Sequence, residues 1–417
     1  MRGSFLLNFK GLAAARPWPV YLMALSVPIS MAATSVSKLL VVLFGLVVLV
    51  EGLARHHRLA QLKAFRSFPL ILGMLAALAL SLAWADASLG DALASLGKYG
   101  KLLIIPLVLV LVRSRREALL ALACYLGAET FVLFSSVLLG LGVALPWRIA
   151  TLSPASVFSS YLDQSIMTAG FAALCWHLRA EFPRRWGPAA AVGLALLAIV
   201  NVMFQLPGRT GQLCAIAAVS LAVFWALPRR WRLGALAFPL VLVAFALVVS
   251  PQFKDRAARV FNEGQAYEQK NEVMTSTGLR LNLWRSAAQA IAERPLAGWG
   301  VGSWSRQYLR LDHGRDTGYR GSGGNPHQEF LLWGVHLGLS GIALMVALLF
   351  VMAWDGRRFG APEQRGLLSL LAVLTVACLF NSTLYDALIG DYFCVLLGVL
   401  FALGLYTRPA PPIVAAA

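Results

Sequence analysis

The chain has 417 residues, 59% of them hydrophobic and only 13% charged, with a mean hydropathy of +0.71. Soluble proteins average roughly 45–50% apolar and about 25% charged, so an ordinary soluble domain, a disordered chain and a disulfide scaffold are excluded. An excess of 36 Lys+Arg over 19 Asp+Glu, a formal +17, could serve nucleic acid, but in a multi-span membrane protein it collects in cytoplasmic loops, which is the reading adopted here.

Twelve apolar segments follow along the chain, at about 17–33, 36–54, 68–85, 97–112, 118–143, 164–178, 187–206, 211–227, 233–250, 328–354, 364–383 and 391–407. A membrane-spanning helix needs about 20 apolar residues, so each is read as a span. The first lacks a small-residue cleavage site behind it and is read as an uncleaved span. Charge punctuates every second gap. The termini and alternate gaps, around Arg55–Arg66, Arg113–Arg116, Arg179–Arg185, Arg229–Arg232 and Arg357–Arg365, hold 20 basic residues. The short gaps on the other side hold five: Lys38, Lys98, Lys101, Arg148 and Arg209. Both termini are therefore expected in the cytoplasm. The expected fold is an all-α integral membrane protein of about 12 transmembrane helices. Residues 1–250 carry helices 1–9, 251–326 form one large outer loop, and 327–417 carry helices 10–12. No internal repeat is visible, which disfavours inverted-repeat transporters.

The five cysteines (Cys124, Cys175, Cys214, Cys378 and Cys394) lie in apolar stretches and form no C-x-x-C pair, so metal and redox readings gain no support. In the fifth segment Glu129 is either catalytic or a packing hydrogen bond. Arg148 and Asp163 border the gap between the fifth and sixth segments. Arg209, in Pro207-Gly208-Arg209-Thr210-Gly211, interrupts an apolar stretch at a cost that suggests function, with a lipid-phosphate anchor as the plainer role.

The 251–326 stretch is too long for a plain linker. Within it, Leu283, Trp284, Ala287, Ala288 and Ile291 recur at helical spacing, predicting an amphipathic helix from Gly278 to Ile291 that could lie on the membrane. Arg280 and Trp284, four apart, share a face. Gly298, Gly300 and Gly302 alternate and permit close approach to a ligand or another chain segment. Asp312-His313-Gly314-Arg315-Asp316 could bind a metal, though a solvated loop is the plainer reading. The loop ends at Gly324-Asn325-Pro326-His327-Gln328-Glu329. Asn325 is expected as N-cap and Pro326 as first helical residue, which places His327 in the first turn. A helix N-terminus attracts phosphate and favours a neutral imidazole. His327 is then either a proton acceptor beside a phosphate site or a histidine resting at the interface. His336, nine residues on, faces the other side and is read as structural. His56 and His57 are read as surface residues.

These residues resemble the O-antigen ligases of Gram-negative bacteria, within the O-antigen ligase and polymerase superfamily. The family's R-x3-L motif is matched by Arg209-Thr210-Gly211-Gln212-Leu213. Its histidine motif is matched by His327-Gln328, nine residues, then Gly338-Leu339-Ser340-Gly341. Its loop arginine is matched by Arg280-Leu281-Asn282-Leu283-Trp284, and the glycine stretch from Pro295 is also typical.

The resemblance implies a membrane glycosyltransferase of the lipid-linked-donor type. It would move O-antigen from undecaprenyl pyrophosphate to a sugar hydroxyl of lipid A–core oligosaccharide, in lipopolysaccharide biosynthesis at the periplasmic side of the inner membrane. Inversion at the anomeric carbon is expected, with no metal, no cofactor and no nucleic acid partner. His327, Arg280 and Arg209 would be catalytic. Arg209, Arg280 and Gln328 would bind the donor pyrophosphate, with Arg148, Asp163 and Trp284 in support. The chemistry is coherent: arginine forks can meet the charge on a pyrophosphate leaving group, and a histidine, ordinarily titrating near about 6.5, can take the hydroxyl proton. An O-antigen polymerase or a protein O-oligosaccharyltransferase shares the donor chemistry. From another class, a transporter or flippase would have similar spans but place ionisable residues near the membrane midplane.

Overall fold

Helix is the only regular secondary structure among the residues described by the computed structural model, which are 15–54, 59–149, 151–183, 185–249, 251–270, 272–312 and 324–407. In hydrocarbon every backbone N–H and C=O must be satisfied internally, and a helix does this within one segment. Helices of eight or more residues are α1 (Trp18–Ser26), α2 (Met31–Ala54), α3 (Ser67–Leu80), α4 (Leu89–Tyr99), α5 (Ile104–Leu111), α6 (Arg115–Gly140), α7 (Tyr161–His177), α8 (Gly187–Val200), α9 (Arg209–Ala226), α10 (Phe238–Val249), α11 (Pro251–Lys270), α12 (Ser276–Glu293), α13 (Trp304–Leu311), α14 (Glu329–Leu337), α15 (Leu339–Gly356), α16 (Ala361–Phe380) and α17 (Ala387–Tyr406). This is a multi-pass membrane protein.

Against the expected twelve spans, nine helices among the described residues are long and apolar enough to cross a membrane, or ten if Arg229–Ala235 and α10, bent by 50° to one another, make one broken span. Each of the twelve apolar segments contains helix, but α1 has only nine residues, and α7, with 17, is at the lower end of the span length. The expected tenth span, 328–354, is split. Gly338 turns the chain at φ 69°, and a Cβ there would lie 2.3 Å from the Pro295 carbonyl oxygen. α14 is thus a separate short helix of nine residues, and α15 alone is long enough to cross. Hydropathy runs through this break unchanged because Leu337 and Leu339 flank it.

At the centre stands α17, buried along nearly its whole length from Leu388 to Gly404. It packs against α1, α2, α5, α6, α7 and α16. Glycine sets the spacing at one contact, where a Cβ on Gly398 would lie 2.7 Å from Val108 Cβ. At the basic end of the bundle the buried Asp355 carboxylate accepts the N–H groups of Arg66 (3.1 Å) and Ser67 (2.8 Å), satisfying donors that the start of α3 leaves over. The other end carries α11 to α14 and is called the loop end below.

Candidate functional site

The residues singled out by sequence meet at the loop end, where α7, α9, α14 and α17 all present their N-termini. His327 is not in a helix. Asn325 Oδ1 accepts its N–H at 2.8 Å, an i to i+2 turn that competes with the expected cap. The helix begins two residues later, with Gln328 as N-cap and its Oε1 accepting from Leu331 N–H at 2.5 Å. Expected as a donor ligand, Gln328 spends its carbonyl oxygen on the helix start. His327 has φ 50°, the one positive φ outside glycine among the described residues. Such a backbone costs about 1–3 kcal/mol and persists where surroundings over-determine it.

Those surroundings come from residues 381–386, between α16 and α17. Asp386 accepts Asn325 Nδ2 on one carboxylate oxygen (3.0 Å) and Asn381 Nδ2 on the other (3.1 Å). That fixes Asn381 Oδ1 as the acceptor toward His327 Nδ1, 3.2 Å away. Nδ1 then carries the proton and Nε2 is the basic nitrogen. Burial raises the Asp386 pKa, against the lowering influence of His327 and Lys101. The Gln328 N–H donates to Ser382 Oγ at 3.2 Å. Sequence reasoning missed Asn381 and Asp386. The available signal was an amide and a carboxylate in a short gap on the same side as His327.

Two residues further on, Glu329 is fully buried. It accepts Tyr99 OH (3.0 Å) and Trp333 Nε1 (3.1 Å) on one oxygen, and the N–H groups of Leu384 (2.8 Å) and Tyr385 (3.2 Å) on the other. Burial pushes its pKa up to about 7, against the bonds from Tyr385, Tyr99 and Leu384. Glu329 thereby pins the 381–386 segment from below.

Arg209 is the first residue of α9. Its guanidinium donates to Ser276 Oγ (2.9 Å) and Thr277 Oγ1 (3.4 Å) at the start of α12. Arg280 is one turn along α12. Burial holds its pKa below the ordinary arginine value, and the neighbouring charge of Arg209 lowers it further, while Tyr161 opposes. No carboxylate pairs with either arginine among the described residues. Two like charges sharing a half-buried space without a counter-ion leave room for an anion. The Gly211 in the arginine motif serves packing: a Cβ there would meet Ser165 Oγ at 2.1 Å, so glycine lets α9 approach α7.

Trp284, one turn beyond Arg280, packs its ring 6.4 Å from that of Phe380, the residue before Asn381. Arginine helix and histidine support are thereby joined. Asp163 takes Ser160 Oγ–H at 2.9 Å in the first turn of α7 and is an electrostatic neighbour of Asp386. Arg148, expected in support, spends its guanidinium on the carbonyls of Leu152 (2.7 Å), Ser153 (3.1 Å) and Ser156 (3.3 Å) of its own loop. Glu129 accepts Thr168 Oγ1–H at 2.7 Å, the packing role among the two left open.

The expected helix at 278–291 is α12, but its apolar face packs on α13 and α14 instead of lying on a membrane. Asn282 and Ser286 are buried where Ala288 was expected. Asn282 Nδ2 donates to Tyr308 OH (3.2 Å) and Asp312 Oδ1 (3.0 Å). His313, Arg315 and Asp316 lie outside the described residues, as do His56 and His57. His336 is buried in α14, as its structural reading requires.

The alternating glycines approach the chain itself. Trp299 N–H and Gly300 N–H donate to the carbonyls of Val335 (2.8 Å) and His336 (2.9 Å), acceptors that the last turn of α14 leaves unpaired. Gly300 has φ 84°, and a Cβ on it would lie 2.3 Å from Ala85 Cα. Gly300→Ala is therefore expected to destabilise the fold by about 1–3 kcal/mol from backbone strain alone. Thermal unfolding in detergent should show a lowered Tm, and an unchanged one would contradict this packing.

A search of the curated proteins finds no match to the chain. A family model described as O-antigen ligase matches residues 206–346, the stretch that contains Arg209, Arg280 and His327. Over that stretch the match supports the O-antigen ligase/polymerase superfamily.

Proposed function

We propose that the protein is an O-antigen ligase that transfers O-antigen from undecaprenyl pyrophosphate to a sugar hydroxyl of lipid A–core oligosaccharide, at the periplasmic face of the bacterial inner membrane. The observation that carries this reading is the pairing of two arginines without a carboxylate, Arg209 and Arg280, with a histidine whose Nδ1 is held by Asn381. The acceptor oxygen attacks the anomeric carbon of the donor sugar while His327 Nε2 takes the hydroxyl proton. The bond from that carbon to the pyrophosphate oxygen breaks, and the electron pair leaves with the pyrophosphate. Arg209 and Arg280 meet the charge that grows there. Lys would serve less well, because only guanidinium offers two parallel donors to phosphate oxygens. α12 carries Arg280 to the donor.

Purified protein, undecaprenyl-pyrophosphate glycan and lipid A–core should together yield a new high-mass lipopolysaccharide band. The band should persist in EDTA, since arginines carry the leaving-group charge. Loss of the band in EDTA with recovery on adding magnesium would overturn the arginine assignment. Growth of the lipid-linked glycan without lipid A–core would mark a polymerase instead.

A further inference from the structure

The sequence assigns five basic residues to the short gaps on the loop side, and three of them converge. Lys38 of α2, Lys98 of α4 and Lys101 of the Gly100–Leu103 turn line one groove of about 480 Å³, together with Leu39, Tyr385 and Ala387. Lysines from two distant stretches do not gather by the solvated-loop logic that scatters surface charge. In the structure all three fall inside candidate spans, Met31–Val50 and Leu89–Leu111, where an ammonium is costly and marks a functional site by default.

Each lysine is partly committed: the Lys38 charge is paired, whereas Lys98 and Lys101 form no ion pair among the described residues and have Asp386 as an electrostatic neighbour. Lys38 Nζ pairs with Asp391 Oδ2 at 2.7 Å, its side chain 30% exposed against 3% for Asp391. Lys101 Nζ donates to the carbonyls of Asp386 (2.5 Å) and Ala387 (3.3 Å), which leaves one of its three N–H groups. Lys98, exposed, lies 4.0 Å over the Tyr385 ring. No acidic residue lines the groove. Asp391 lies behind Lys38, and the Asp386 carboxylate is held by the two asparagines that support His327. Beside the groove α2 exposes Val36, Leu39 and Leu43, an apolar track suited to acyl chains.

We propose that this groove binds the phosphate of a lipid headgroup, with the acyl chains along α2, at a position separate from Arg209 and Arg280. A phosphomonoester carries about −1.5 to −2 at pH 7 and suits a cluster of ammonium point charges. On the transfer reading above, the occupant is the acceptor lipid. That assignment rests on the reading, whereas the binding itself does not. Residues 384–387 separate the groove from Glu329 and His327, so a lipid held there reaches the catalytic histidine across a single loop.

The test is native mass spectrometry of the full chain in detergent with equal amounts of dioleoyl phosphatidic acid and dioleoyl phosphatidylcholine. Wild type should retain phosphatidic acid preferentially. Lys98→Glu, at an exposed position that leaves the fold intact, should lower that retention about tenfold through like-charge repulsion, and Lys98→Arg should preserve it. Arg209→Ala and Arg280→Ala should also preserve it. Equal retention of the two lipids, or no effect of Lys98→Glu, overturns the proposal. Loss in the arginine variants moves the phosphate to the arginine pair and overturns it as well. Displacement by excess sodium phosphate would make this a free-phosphate site, against the lipid source. None of these readouts requires transfer, so failure of the ligase reading would be seen separately, in the ligation assay.

Discussion

Replacing His327 by alanine is expected to lower transfer by about 10²–10⁴-fold, the contribution typical of a positioned general base. Donor binding should survive, because Arg209 and Arg280 are untouched. The rate should also fall toward acidic pH, since Nε2 can accept a proton only while the imidazole is neutral. A histidine that instead held donor phosphate as a cation would behave in the opposite sense. A pH–rate profile at saturating donor separates the two, and rates that rise toward acid and vanish in His327→Ala would refute the base. Asn381→Ala supplies a further check. It removes the acceptor that holds the proton on Nδ1, so turnover should fall while the KM for donor stays near wild type.

Arg280→Ala should cost about 10²–10³-fold in turnover, the loss seen when one preorganised donor to a developing anion is removed. Arg280→Lys should recover little, because an ammonium cannot reproduce bidentate contact. The variant should fold at least as well as wild type. Arg280 has no carboxylate partner among the described residues and faces the charge of Arg209, so truncation relieves a repulsion. An unchanged or higher Tm together with lost turnover is the expected pair of results. A lowered Tm would recast Arg280 as a structural residue.

Much of this was legible in the sequence because the relevant signals are local. Arg209 interrupts an apolar run, Arg280 and Trp284 share a helical face, and the alternating glycines announce close backbone approach. Each of these is settled within about ten residues of chain. What escaped was long-range or backbone-borne. Asn381 and Asp386 lie more than 50 residues from the His327 they hold, and periodicity says nothing about which loop meets which. Asn325-Pro326 carries the composition of a helix start, yet the Asn325 side chain closes a turn on His327 and passes the cap to Gln328. The break at Gly338 is invisible to hydropathy, because it is made by a dihedral angle and not by polarity. Arg148 reads as an available cation, but three carbonyls of its own loop occupy it.

The arginine pair has a further consequence, for the end of the cycle. Donor and spent carrier both present a pyrophosphate, and the carrier presents it with one more charge once the sugar has gone. Arg209 and Arg280 cannot tell the two apart in the direction that would help departure, since they grip the more highly charged species harder. The feature that eases bond breaking thus slows clearance of the site. On the proposed transfer reading, carrier release is expected to limit turnover, and added undecaprenyl pyrophosphate is expected to inhibit it. Supply of fresh donor and removal of spent carrier are then coupled through two guanidinium groups.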